Sequence, residues 1–135
     1  MSLNIDNLIT LGLKNTIQLR NNGGFSVKGP WSQLTAQGNN FDRWYLGEIA
    51  AAEYSIFVDY NQLNKEIIKC TVVATLNIAK VNVYSRLSTN NSIAVINATV
   101  NDSYVNVTIA PIAPQVSESK FIYTVQYFEN QNLID

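Results

Sequence analysis

The sequence predicts an all-β domain: an antiparallel β-sandwich or jelly roll of about eight strands, with a short N-terminal arm or helix. Three observations predict it. Turn-forming clusters recur at short intervals, the runs between them are rich in Val, Ile, Thr and Tyr, and several runs alternate apolar with polar side chains. A chain of 135 residues has room for one ordinary hydrophobic core.

The division expected is an arm or first element over residues 1–20 and a sandwich over residues 21–135. In the first part Ile5, Leu8, Ile9 and Leu13 fall at helical spacing after Asn4 as a cap, so Ile5 to Lys14 is the best helix candidate. An arm docking on a neighbouring subunit and a terminal element of the same domain both fit this segment. Turns are expected at Asn21-Asn22-Gly23-Gly24, Lys28-Gly29-Pro30 and Gln37-Gly38-Asn39-Asn40, where Gly and Asn supply positive φ and Pro removes a ladder donor. Glu48 to Tyr54 has helical propensity, but its flanks, Arg43 to Leu46 and Ser55 to Val58, favour strand, so the stretch reads as a strand corner. Ile67 to Val73 reads as a buried strand, with Cys70 as a small core residue.

The second half alternates most clearly. Val81, Val83 and Leu87 share one face of a strand, with Lys80, Asn82, Tyr84 and Arg86 opposite. Ala94, Ile96, Ala98 and Val100 line one face of the next, and Asn101-Asp102 suits a tight hairpin. Val105, Val107 and Ile109 then point inward, and Phe121, Tyr123, Val125 and Tyr127 line one side of the closing strand.

Composition narrows the chemistry. Histidine is absent, which removes Ser-His and Cys-His nucleophile pairs and His-containing metal sites. Cys70 is the single cysteine, so no intramolecular disulfide or thiolate cluster is expected. The net charge of −1 offers little attraction to nucleic acid or an anionic membrane, no apolar run is long enough to cross a bilayer, and the N-terminus has no signal-peptide pattern. Glu48, Glu53, Asp59 and Glu66 carry no spacing that singles out a hydrolytic pair. No phosphate-binding loop or calcium loop is present. No catalytic residue, cofactor or metal is therefore expected.

The outer faces are the unusual feature. Only Lys80, Arg86 and Asp102 are charged between Cys70 and Ser117, and Asn makes up 18 of the 135 residues. An isolated sandwich usually charges its solvent faces and edges, whereas an Asn/Thr/Tyr surface suits permanent packing against other subunits. An AT-rich genome would enrich Asn and Ile equally well. Glycosylation sequons at Asn90, Asn97, Asn101 and Asn106 are no meaningful excess for so much Asn, Ser and Thr. Trp31, Phe41, Arg43, Trp44 and Tyr45, beside Asp42 and Asn39-Asn40, form a candidate interface or ligand platform. Such rings pack on the apolar face of a pyranose, and they also fill cores or anchor subunit contacts.

Three groups of segments carry a resemblance: Asp42 to Glu48 with Ala52 to Tyr60, Lys65 to Cys70 with Val81 to Arg86, and Ala98 to Val105 with Tyr123 to Phe128. Over roughly residues 40 to 132 the sequence resembles small virion structural proteins of marine tailed phages, especially cyanophage-type myoviruses. The resemblance lies in phrase order and not in an active-site motif. It implies a virion subunit made in the host cytoplasm: a capsid decoration, tail, baseplate or fibre-associated protein. Its partners would be other copies and other virion proteins, with no nucleic acid and no membrane. The alternative is a lectin-like sandwich for host attachment that binds sugar through Trp31, Trp44 and Tyr45. A membrane-inserting toxin is a third reading, without an amphipathic insertion hairpin to support it.

Overall fold

A computed structural model describes residues 17–21, 24–28, 30–112 and 119–130, with the backbone alone over 17–28. The helix candidate at Ile5 to Lys14 lies outside the described residues. Those residues form antiparallel strands and turns: β1 (Ile17–Asn21), β2 (Gly24–Lys28), β3 (Ser32–Gln33), β4 (Asn39–Tyr45), β5 (Ile49–Tyr60), β6 (Asn64–Ala74), β7 (Ala79–Ser88), β8 (Ala94–Asn101), β9 (Tyr104–Pro111) and β10 (Lys120–Glu129). Ten strands are present where about eight were expected; β3 is only two residues long. Strand β1 spans the expected 20/21 boundary and pairs with β2.

The strands make an asymmetric sandwich. The larger sheet runs β1-β2-β10-β5-β6-β7, with β3 also on β10, and the smaller runs β4-β9-β8. Strands β5, β6 and β7 form a meander, while β10 returns between β2 and β5. The Glu48 to Tyr54 stretch is a turn at Leu46–Glu48 running straight into β5, not a helix.

Two hairpins set the register. At β5–β6 the Leu63 N–H donates to the Tyr60 carbonyl at 2.7 Å, and Asn61 and Gln62 have φ of 48° and 64°. At β8–β9, Asp102 and Ser103 have φ of 52° and 68°. Two central residues with positive φ define the turn whose twist matches that of paired strands. The sequence placed the second hairpin one residue early.

Alternation brings Ile56, Val58, Ile68, Val72, Val105, Val107, Ile109, Phe121 and Val125 into the space between the sheets, all nearly inaccessible. Cys70 is buried among them as expected, and burial pushes its thiol up to about 11. Strand β7 departs from the expected alternation. Its register on β6 shifts so that Cys70 faces Val83 while Lys69 faces Ser85, leaving Tyr84 as the extra residue of a bulge. One inserted residue reverses every later side chain. Arg86 therefore lies on the inner face opposite Ile68, and Leu87, expected inside, lies outside and is 72% exposed.

Candidate functional site

The five aromatic-platform residues do not share one surface. Phe41 points between the sheets, its ring 4.9 Å from Tyr123, 5.6 Å from Tyr54 and 5.8 Å from Phe121. Trp44 is buried and donates its indole N–H to the Tyr54 hydroxyl at 3.0 Å. Arg43 and Tyr45 alternate outward on β4, where the guanidinium lies 4.0 Å above the Tyr104 ring and Tyr45 stands 5.2 Å from it. Trp31 sits on the far face of the larger sheet, half exposed, edge-on to Phe57 at 5.9 Å. It walls a shallow groove of about 510 Å³ whose lining includes Ser55, Phe57, Ile67, Lys69, Ile122 and Thr124.

The structure adds two buried carboxylates that hold the sheets together. Asp42 on β4 reaches across to the larger sheet, accepting from the Tyr54 hydroxyl at 2.5 Å and the Tyr127 hydroxyl at 2.7 and 2.9 Å. The Arg43 N–H also donates to it, at 2.9 Å. Burial raises the Asp42 carboxyl above its ordinary range, and the hydrogen bonds from Tyr54, Tyr127 and Arg43 oppose that rise without cancelling it. Burial, and then the Asp42 charge, pushes Tyr127 well up; Tyr54 follows for the same reasons.

Glu66 on β6 reaches the other way. One oxygen accepts from the Ile93 and Ala94 N–H groups at 2.9 and 3.3 Å, where β8 begins. The other accepts from Arg86 at 2.9 Å and from the Ser88 hydroxyl at 2.6 Å. Arg86 also donates to the Ala94 carbonyl at 2.9 Å. Burial alone would raise the Glu66 carboxyl, but Ser88, the Ile93 amide and Arg86 outweigh it and hold the group below its ordinary value. Asn64 completes this end by accepting from Thr89 and the Asn90 N–H and donating to the Asn91 carbonyl.

These groups are closed to solvent and matched to protein donors, an arrangement suited to holding the sheets in place. Glu66 is sequestered on the inner face, whereas Glu53 and Asp59 share the outer face of β5 six positions apart, roughly 20 Å along a strand. Among the described residues no cluster of His, Cys, Asp and Glu could hold a metal ion, and no helix is long and apolar enough to cross a membrane.

What remains open to contact is apolar surface. Leu63, Leu76, Leu87 and Tyr84 are more than half exposed, and Ile67, Val73, Ile78 and Val83 partly so; all lie on β6, β7 and their connecting turns. The Tyr84 bulge hides this patch from a reader of the sequence, because strict alternation assigns Leu87 to the core. Glu66 was legible in principle: Asn64, Glu66, Ile68, Cys70 and Val72 share one face.

No known family profile and no curated protein matches the chain. Two solved structures are similar to it. One is the tailspike protein gp49 of Acinetobacter baumannii bacteriophage Fri1, a capsular polysaccharide depolymerase, at 12% identity and a TM-score of 0.46 over 92% of this chain. The other is the tailspike protein of Acinetobacter baumannii phage AM24, at 9% identity and a TM-score of 0.44 over 78% of this chain. The chain spans 21% and 26% of those proteins' lengths.

Proposed function

We propose that this chain is a non-enzymatic structural subunit of a bacteriophage particle, a tail, fibre, baseplate or decoration component that works through contacts with other copies and other virion proteins. The observation that carries the assembly part is the exposed apolar side chains at β6 and β7, where Leu63, Tyr84 and Leu87 stand in solvent and the outer face carries lysines, Lys65, Lys69 and Lys80, but no acid. Large apolar side chains left in solvent on a small domain mark a contact site more often than a free face. The phage setting comes from the sequence resemblance over residues 40 to 132. Protein analysis of particles purified from the phage that encodes the chain tests the reading. The chain is expected in stoichiometric amount, and its absence from washed particles overturns the proposal.

A second reading, a carbohydrate-binding module, is favoured by Trp31 alone, whose half-exposed ring walls a groove rimmed by Ser55, Lys69 and Thr124. Trp31 and Trp44 are the two tryptophans, and Trp44 is buried. A saturable change of emission with an oligosaccharide, lost in Trp31→Ala and kept in Trp44→Phe, would support the module. Unchanged emission with the host's surface polysaccharide removes it.

A further inference from the structure

We infer that β7 is a self-pairing edge: two copies join antiparallel along Ala79–Ser88, with Asn82 opposite the partner's Ser85, and their larger sheets run on as one. The inference rests on the subunit reading above and names the surface and the occupant. Strand β7 is the last strand of its sheet, and on the side away from β6 its backbone has no strand partner among the described residues. Natural sheets blunt such edges with charge, proline or short length. Here the edge is ten residues long and free of proline. Of its two charged side chains, Arg86 is turned inward onto Glu66 at 2.9 Å, which leaves Lys80.

A second copy fits this edge because the strand's two-faced pattern reads the same in both directions. The register on β6 puts Ala79, Val81, Val83, Arg86 and Ser88 on the inner face, and Lys80, Asn82, Ser85 and Leu87 on the outer. Tyr84, the bulged residue, interrupts the alternation near the middle. Laid antiparallel on itself, the strand sets Lys80 against the partner's Leu87, Asn82 against the partner's Ser85, and Val81 against the partner's Arg86. Every one of those pairs keeps both side chains on the same face, as antiparallel partners must. Without the bulge the same full-length overlap would set inner against outer positions. The two copies of Lys80 end about 20 Å apart, the six ladder positions between Val73 and Ile67, well beyond a Debye length of about 8 Å, so the edge's remaining charge does not oppose pairing. Tyr84, 54% exposed, stands opposite the partner's Val83 beside the dyad.

The test is the double variant Lys80→Cys/Leu87→Cys in the full chain. Within one copy those positions stand opposite Val73 and Ile67, six residues apart along β6, roughly 20 Å between Cα atoms and too far for a disulfide. Cys70 is fully buried and does not compete. Mild oxidation is expected to give a disulfide-linked dimer that reductant reverses, and the wild type is expected to double its mass in light scattering as concentration rises. The single variant Lys80→Cys is expected to stay uncrosslinked. A wild-type oligomer whose double variant does not crosslink overturns β7 pairing and leaves the subunit reading standing. So does crosslinking in the single variant equal to that in the double. A monomer at every concentration also overturns the pairing, while particle content decides the subunit reading separately.

Discussion

Replacing Glu66 by Gln keeps the shape of the side chain and removes its charge. The carboxylate receives hydrogen bonds from Arg86, Ser88 and the Ile93 and Ala94 amides. Glutamine can still offer its oxygen to the two amides, but its NH₂ group then faces the Arg86 guanidinium, which has only donors. Two bonds to a charged group are lost at about 1.5–3 kcal/mol each. Ser88 recovers part by rotating its hydroxyl to accept, and the Arg86 side chain, 28% exposed, can regain water. The net loss works out to about 3 kcal/mol, the lower end for breaking a buried ion pair. Urea unfolding at neutral pH measures it through a lower midpoint at unchanged slope. The pH dependence gives a second check. The folded Glu66 carboxyl lies below its ordinary value. Its contribution is therefore fully present above the unfolded value of about 4.3 and is lost as pH falls through the folded value. The stability difference between wild type and Glu66→Gln should hold steady from neutral pH to about 5 and shrink in stronger acid; Asp42 titrates in both proteins and cancels. A loss under about 1 kcal/mol, or a difference that stays flat down to pH 2, would refute the argument.

Tyr127→Phe removes a phenol that donates to both oxygens of Asp42 and should cost about 2 kcal/mol. Asp42 is already raised, so the stability from its protonated form is present at low pH and lost as pH rises through its folded value. Without Tyr127 the carboxylate is less well held, and urea midpoints should fall more steeply with rising pH than in the wild type. Ser103→Gly relieves the positive φ at the β8–β9 turn and should gain up to about 1 kcal/mol; a lower melting temperature would contradict that turn assignment.

The sheet faces that sequence alternation predicted well lie on strands that carry no extra residue within the predicted run. Ala94 and Ile96 on β8, Val105, Val107 and Ile109 on β9, and Phe121, Tyr123, Val125 and Tyr127 on β10 all point inward as read. The reading failed where a bulge intervenes. Bulges depend on the register between two strands, which a single strand's sequence does not contain, so Leu87 was assigned inside and Arg86 outside. The aromatic platform failed for a related reason. Trp44 and Tyr45 are adjacent, and on a strand adjacent residues face opposite ways, so one enters the core and the other leaves it. Proximity in sequence had suggested proximity on a surface. Asp42 was the hardest position to place, because its burial depends on two tyrosines supplied by β5 and β10, 12 and 85 residues away.

The mismatch between the sheets ties the buried carboxylates to the exposed patch. At about 4.8 Å per strand the six-strand path spans roughly 24 Å and the three-strand sheet roughly 10 Å. The smaller sheet is fixed at both margins: Asp42 bonds β4 to β5 and β10, and Glu66 with Arg86 bonds the start of β8 to β6 and β7. With those margins set, its strands cannot slide outward to cover the end of β7, and Val83 remains 37% exposed on the inner face. The polar groups that could have advertised a catalytic centre are thus the ones that hold the cover in place. Val83 is what this cover leaves bare on the inner face, and Ile67, Val73 and Leu87 lie on the outer face, which neither sheet covers. A substitution that loosens Glu66 should accordingly disturb assembly as well as stability, whereas Leu87→Lys, on the outer face, should weaken assembly while leaving the urea midpoint of the isolated chain nearly unchanged.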